Sequence, residues 1–300
     1  MACRLAETFD HTSHHAEKEI FMAIHPTLAE KYGPWAIVTG AASGLGKEFT
    51  NQLAAQKLQI IAVDVQEQLL HEQVVFLQEM YGVLALPAVV DLAQADFLAK
   101  LLEIVGEREI GLLANVAGLS YVSEFLDTPL AHLQKQISVN CLAPMTLGYH
   151  FGQHMRQRKR GGIIFLSSAS AYQGTALVAN YAATKAFNLI LAEGLWDELR
   201  TAGVDVLGFA PGATNTPGFH KDSPRYQAVS MPYMEAAPTV AEALAALGKK
   251  PSRIAGNGNR AAALLTGRLL SRERAIRLFG NSMRKIYAPA PEPVKTHTEV

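Results

Sequence analysis

At 300 residues the chain is long for an average domain but ordinary for one large α/β unit, and its 49% hydrophobic content is enough to bury a sizeable core. Its 27 basic and 27 acidic side chains cancel, so no global field draws it to nucleic acid or to a membrane. Two cysteines, Cys3 and Cys141, fit a reducing compartment, and no apolar run approaches the ~20 residues that span a bilayer. The first ten residues lack the apolar core of a secretory signal, so a cytoplasmic location is expected.

Three sections follow one another. Residues 1–33 form a polar, His-bearing extension with one short apolar patch at 20–24. From Pro34 to about Pro217, short β-rich runs alternate with longer helical ones. From Gly218 a flexible segment, a short helix, a weak strand and a basic helical tail are expected. The expected strands are 35–39, 58–63, 83–89, 110–115, 162–167 and 204–210. Most are unbroken apolar runs rather than alternating ones, the pattern of strands covered by helices on both faces. Helical periods at 66–81 and 92–105 have the length of right-handed βαβ crossovers, so the fold class is expected to be α/β with a doubly wound parallel sheet. One domain is expected over 34–287, with a flexible segment at 218–238, a basic segment at 249–287 and a frayed tail at 288–300.

Directly after the first strand the chain reads Thr39-Gly40-Ala41-Ala42-Ser43-Gly44-Leu45-Gly46. Glycines here allow a tight turn, close approach of backbone to a pyrophosphate, and close packing of helix on strand. The phosphate would sit on free N–H groups at the helix N-terminus. Asp64 ends the second strand about 20 residues on. A carboxylate there can accept from the ribose 2′-OH of NAD and repels the 2′-phosphate of NADP. Its neighbour Val65, like Ser43, is neutral, so NAD is favoured over NADP. A plain strand-end Asp opening a turn is the structural alternative. Asp91, followed by Leu92, comes just after the third strand and could cap a helix.

Ser168 closes the fifth strand, and Tyr181 and Lys185 open a long helix one turn apart on the same face. A free phenol titrates near ~10, and a nearby ammonium lowers that value by stabilising phenolate. Such a phenol can exchange a proton with a reacting oxygen, while a serine hydroxyl holds the same oxygen in place.

The T-G-x-x-x-G-x-G turn, with Ser168, Tyr181 and Lys185 in that order and spacing, resembles the compact branch of the short-chain dehydrogenase/reductase family. The resemblance implies a Rossmann-type sheet of about seven strands in the order 3-2-1-4-5-6-7, and hydride transfer between a nicotinamide and an alcohol or carbonyl carbon. It gives Asn140 the fourth catalytic place, holding a water that links Lys185 to solvent, and puts Asp91 against the adenine amino group. Asn115-Val116-Ala117-Gly118 resembles the family's N-N-A-G turn, departing from it at Val116. Pro211-Gly212-Ala213-Thr214-Asn215-Thr216 resembles its P-G-x-x-x-T segment, where Thr216 would meet the nicotinamide carboxamide. The family commonly forms homodimers or homotetramers through helices that include the one bearing Tyr181.

Residues 218–238, which the resemblance makes a substrate lid, carry Phe219, Tyr226, Met231, Tyr233 and Met234. Met and aromatic side chains there point to an apolar or lipid-like small-molecule substrate, with Phe219, Met231, Tyr233 and Met234 joining Ser168 and Tyr181 around it. A surface loop pinned to the core reads the same way. Residues 249–285 hold ten basic side chains against the single acid Glu273, a stretch that could dock an anionic carrier or lipid surface, or could be an ordinary docked helix with a solvated face. His11, His14 and His15 have no matching ligand pattern, so no metal is expected. An NADPH-dependent ketoacyl-type reductase and a non-enzymatic NAD-binding scaffold are the competing readings.

Overall fold

The computed structural model describes residues 27–222 and 233–287. Its centre is a seven-stranded, all-parallel sheet of β1 (Trp35–Thr39), β2 (Gln59–Asp64), β3 (Ala85–Val89), β4 (Ile110–Asn115), β5 (Gly161–Leu166), β6 (Val204–Ala210) and β7 (Ser252–Ile254). The spatial order is β3-β2-β1-β4-β5-β6-β7. The helices are α1 (Leu28–Tyr32), α2 (Gly44–Ala55), α3 (Glu67–Tyr81), α4 (Phe97–Val105), α5 (Leu130–Ile137), α6 (Ala143–Gln157), α7 (Ala179–Arg200), α8 (Pro217–Asp222), α9 (Ala236–Ala246), α10 (Asn257–Leu269) and α11 (Arg272–Tyr287).

The unbroken apolar strands follow from the layering. Side chains alternate across a strand, so each strand feeds two cores. Ala36, Val38, Ile60, Ala62, Leu112, Ala114, Leu207 and Phe209 join α2, α3 and α9 on one face. Ile37, Ile61, Val63, Leu113, Ile163, Phe165 and Val206 join α4, α6 and α7 on the other. A polar residue at most of these positions would be stranded in one core or the other.

Two local readings change. The helix expected from residue 92 begins at Phe97. The Asp91 carboxylate accepts the Ala93 N–H at 2.9 Å, and the Asp91 carbonyl accepts the Gln94 N–H at 3.0 Å, so the chain closes a turn there before any helix can start. Asp91 is therefore not the helix cap; Asp96 holds that position. The stretch between α5 and α6 is a π-turn, Ser138–Leu142. Pro144, just after it, has no N–H to donate to the carbonyl of Asn140 four residues back, so the regular ladder is interrupted there.

β1 and β4 are neighbours although their crossovers run to opposite edges of the sheet. The crevice beyond their C-terminal ends is the topological switch point where ligands of open α/β sheets bind. His11, His14, His15, Tyr226, Met231 and the tail at 288–300 lie outside the described residues.

Candidate active site

Three groups of residues close on the switch point. The first surrounds the glycine-rich turn. Gly40 has φ +70°, and a Cβ on it would stand 2.9 Å from the Ala117 Cα. A Cβ on Gly46 would stand 1.9 Å from the Gly40 carbonyl oxygen. Turn and helix can approach this closely only because both side chains are missing. Thr39 is buried, and its Oγ1 accepts the N–H groups of Val116 and Ala117, both at 3.0 Å. That threonine stitches β1 to the turn after β4. The first turn of α2 leaves the N–H groups of Gly44, Leu45 and Gly46 outside the helix's own ladder.

Asp64 is buried at the end of β2. One carboxylate oxygen accepts the Ala42 N–H at 3.0 Å, and the other accepts Val65 N–H at 2.8 Å and Gln66 N–H at 3.0 Å. Val65 itself points outward, 58% exposed, while Leu92 is buried in the second core. Asp91 is held below the usual carboxylate range, chiefly by the Ala93 N–H, with Gln94 and Lys135 adding to it against partial burial. Asn115 is buried at the end of β4, and neither its Oδ1 nor its Nδ2 has a partner among the described residues. A buried amide with nothing to bond is costly, and a polar ligand in the crevice would relieve it. Glycine cradle, open helix N-terminus, carboxylate and orphaned amide together fit a dinucleotide.

The second group lies at the head of α7. Lys185 is 2% exposed, and its Nζ donates to the Leu166 carbonyl at 2.9 Å. A Cβ on Gly118 would stand 3.1 Å from that Nζ, so the glycine after β4 makes room for the ammonium. Burial pushes the Lys185 ammonium down to about 8, against a smaller opposing effect of Cys141. The Nζ lies 5.7 Å from the Tyr181 ring centroid. Ser167 Oγ donates to the Lys185 carbonyl at 2.7 Å, tying the end of β5 to α7. Ser168 caps a short 3₁₀ turn, Ala169–Tyr172, and its Oγ accepts from Ser170 N–H at 3.2 Å and Ser170 Oγ at 3.0 Å.

Asn140 is fully buried. Its Oδ1 accepts the Leu119 N–H at 2.8 Å, and its Nδ2 donates to the Leu119 carbonyl at 2.9 Å and to Thr184 Oγ1 at 3.0 Å. The backbone carbonyl released by Pro144 accepts from Asn188 Nδ2 at 2.9 Å. Gln136 donates to the same Leu119 carbonyl at 2.9 Å and accepts from Asn180 at 2.6 Å, next to Tyr181. Gln136, Asn180, Thr184 and Asn188 thus brace the site without having been singled out in the sequence. Pro144 four residues after Asn140 is the signal that a freed carbonyl needs a donor.

The third group follows β6. The Pro211 carbonyl accepts the Ala169 N–H at 2.8 Å, joining this segment to the Ser168 turn. A Cβ on Gly44 would stand 3.3 Å from Thr216, joining it to the glycine-rich turn. Thr216 Oγ1 accepts the Phe219 N–H at 3.2 Å at the start of α8. Thr214 bridges Met234, whose sulfur faces Asn259 and Gly256, while a Cβ on Gly212 would strike Asn259 Nδ2 at 2.6 Å. Met234 also packs on the first core. Phe219, His220 and Tyr233 form a small ring cluster, with His220 5.6 Å from Phe219 and 6.1 Å from Tyr233. Among the described residues no His, Cys, Asp and Glu group could hold a metal ion, and no helix is long and apolar enough to cross a membrane.

A family profile described as short chain dehydrogenase matches residues 34–227. The chain belongs to this family. Short chain dehydrogenases exchange hydride between a nicotinamide cofactor and an alcohol or carbonyl carbon, and that is the reaction class of this enzyme. The chain is 30% identical over 233 residues to a 7β-hydroxysteroid dehydrogenase of Clostridium sardiniense, covering 77% of this chain and 88% of that one. It is 36% identical over 181 residues to a very-long-chain 3-oxoacyl-CoA reductase of Pyricularia oryzae, covering 59% and 55%. A solved structure of a 7β-hydroxysteroid dehydrogenase superposes with a TM-score of 0.80 at 28% identity, covering 85% of this chain and 99% of that chain.

Proposed function

We propose that this short chain dehydrogenase uses NAD(H) to interconvert a secondary alcohol and a ketone on a bulky apolar substrate, with Tyr181 as the proton donor and acceptor. The observation that carries the reading is Lys185, an ammonium buried to 2% exposure and held between Leu166 and the Tyr181 ring.

A nicotinamide dinucleotide, when bound, supplies or accepts the hydride. Gly40, Ser43, Gly44, Leu45 and Gly46 would receive its pyrophosphate, and Asp64 with Val65 its adenosine ribose. Asp91 and Leu92 would border the adenine, and Asn115, Ala117 and Gly118 the middle of the crevice. Pro211, Gly212, Thr214 and Thr216 would border the nicotinamide end. A phosphate ester in place of the 2′-OH would face the Asp64 carboxylate with no cation at position 65 to balance it, which supports NAD over NADP.

Ser168 Oγ, already a hydrogen-bond centre, would hold the substrate oxygen. Tyr181 would pass it a proton on reduction and remove one on oxidation. Lys185 would hold the cofactor ribose, and its charge stands where it favours phenolate. The Asn140 carbonyl, freed by Pro144, keeps a lone pair for a water that carries the proton on to solvent. Phe219 and Tyr233 would border the substrate. Met234 would support that wall from its packed position against Asn259 and Gly256.

Supporting the apolar substrate are the aromatic and Met side chains after β6, together with similarity to enzymes named for steroids and very long acyl chains. Self-association is supported by the outer faces of α6 and α7. Met145 and Tyr149 on one, and Phe187 and Ile190 on the other, are exposed, with Tyr149 at 70% and Ile190 at 65%. The testing experiment is a panel of bulky and small secondary alcohols and ketones, each assayed with NAD(H) and NADP(H). Turnover of the bulky apolar members with NAD(H) is expected. Turnover confined to small polar members, or to NADP(H), would refute the reading.

A further inference from the structure

α10 is built inside out. A helix lying on a protein turns its apolar stripe toward the core and its polar side chains to water. Here Leu264, Leu265 and Leu269 stand 54%, 55% and 72% exposed, and among α10's described residues none is buried. Ala261 and Ala262 continue the outward stripe, while the small Ala263 and polar Thr266 lie on the half-buried side. Thr266 Oγ1 bonds back to the Ala262 carbonyl at 2.8 Å. Three solvent-facing leucines on one helix call for an apolar environment that the described residues do not provide.

α11, next in the chain, supplies the charge. Its buried side is Ala275, Gly280 and Ile286, and its outer side presents Arg274, Arg277, Arg284 and Lys285, with Leu278 51% exposed among them. The one acid on either helix, Glu273, pairs with Arg277 at 2.7 Å. Arg260 at the start of α10 and Arg253 on β7 are already taken by Glu242. The remaining basic side chains have no acid beside them on either helix, in a protein whose net charge is zero.

We propose that α10 and α11 seat this protein on an anionic lipid surface, with the α10 leucines entering the acyl boundary and the α11 basic side chains lying among the headgroups. The charge decides between occupants. A second copy would bring the same excess of arginines to the contact, and like charges would oppose each other across it. An anionic bilayer complements both the leucines and the arginines, and long basic stems such as that of Arg268, lying within the leucine stripe, reach the headgroups from an apolar bed.

The seat is next to the site. Arg272 Nη1 donates to the Tyr172 carbonyl at 3.2 Å, and a Cβ on Gly280 would stand 3.5 Å from the Ala176 Cβ. Residues 172–176 lie between Ser168 and Tyr181, so a docked enzyme would meet an apolar substrate at the bilayer. That last step rests on the proposed function; the docking itself does not.

The test is flotation of the full-length protein with vesicles of phosphatidylcholine alone and of phosphatidylcholine with phosphatidylglycerol, at low and high salt. Binding is expected to the phosphatidylglycerol vesicles, weakening as salt rises. Both Leu264→Glu/Leu265→Glu/Leu269→Glu and Arg274→Glu/Arg277→Glu/Arg284→Glu should lower the bound fraction at least about tenfold, with circular dichroism unchanged. Turnover of a water-soluble ketone should also be unchanged in both variants. Absence of wild-type binding, or variants that bind as the wild type does, would overturn the proposal. So would a leucine variant that changes the mass in solution and not the vesicle binding, because the face would then join copies of this chain. Vesicle binding by a protein inactive toward every ketone would sink the proposed function and leave the docking standing.

Discussion

The sheet up to β6 and the helices beyond it were made by opposite rules. In the first region the strands feed two cores, and Asp64, Asn140 and Lys185 are buried beside them. Asn140 makes three side-chain hydrogen bonds while fully buried, and Lys185 is an ammonium with 2% exposure. In the second region α10 turns leucines to solvent and α11 carries charges that no acid on the helices answers beyond Glu273. The contrast teaches that burial in this protein marks chemistry, whereas exposure of apolar surface marks contact. A change in the first region should cost folding or turnover, and a change in the second should cost neither.

That contrast is broken most severely at Gly46. A methyl group there meets the Gly40 carbonyl at 1.9 Å, so Gly46→Ala should destabilise the fold by about 3 kcal/mol or more and abolish cofactor binding. Thermal unfolding and NADH fluorescence titration check both. Near-normal NADH affinity would mean that the turn is not the cradle described.

Next comes the buried ammonium. Lys185 is lowered by burial to about 8 in the folded protein, while the unfolded chain keeps its ordinary, higher value. Below the folded value both states hold the proton and the full burial cost is present. As pH rises through about 8 the folded state sheds its proton first, so stability grows until the unfolded chain also deprotonates. Relative to Lys185→Met, the wild type should therefore gain roughly 2 kcal/mol between about pH 7 and about pH 10 in denaturant melts. A flat difference would mean that the ammonium is hydrated.

A smaller effect belongs to Asp64. Asp64→Ala removes the acceptor of three backbone N–H groups and should cost about 2 kcal/mol of stability. It should also lower the ratio of kcat/KM with NAD to kcat/KM with NADP by at least about tenfold. Unchanged preference in a folded variant would show that discrimination resides elsewhere. The smallest effect is expected on α10, where Leu265→Gln should move stability by no more than about 0.5 kcal/mol in the absence of vesicles. A larger loss would mean that the leucine already has a buried partner.

How far the sequence could be read follows the same division. β1, β4 and β6 were legible to their ends because unbroken apolar runs stop where the sheet stops. The order of the glycine-rich turn, Ser168, Tyr181 and Lys185 was legible because spacing along strand and helix fixes which side chains share a face. Residues 92–96 were misread as helix, since the apolar period says nothing of the Asp91 carboxylate closing a turn first. The pairings of Asn140 with Leu119 and of Gln136 with Asn180 join distant segments, and no local pattern encodes them. The outward α10 stripe was equally hidden, because a helical period gives an apolar face without saying which way it looks. The basic charge beside it was plain from composition.

In the proposed reaction the Tyr181 phenol carries the proton while the rest of the site holds cofactor and substrate. Steady-state turnover of Tyr181→Phe with the best ketone of the panel, beside an NADH binding titration, tests it most directly. The expected result is a fall in kcat of about a hundredfold to ten-thousandfold with NADH affinity within about threefold of wild type. A phenylalanine variant that turns over at the wild-type rate would contradict it.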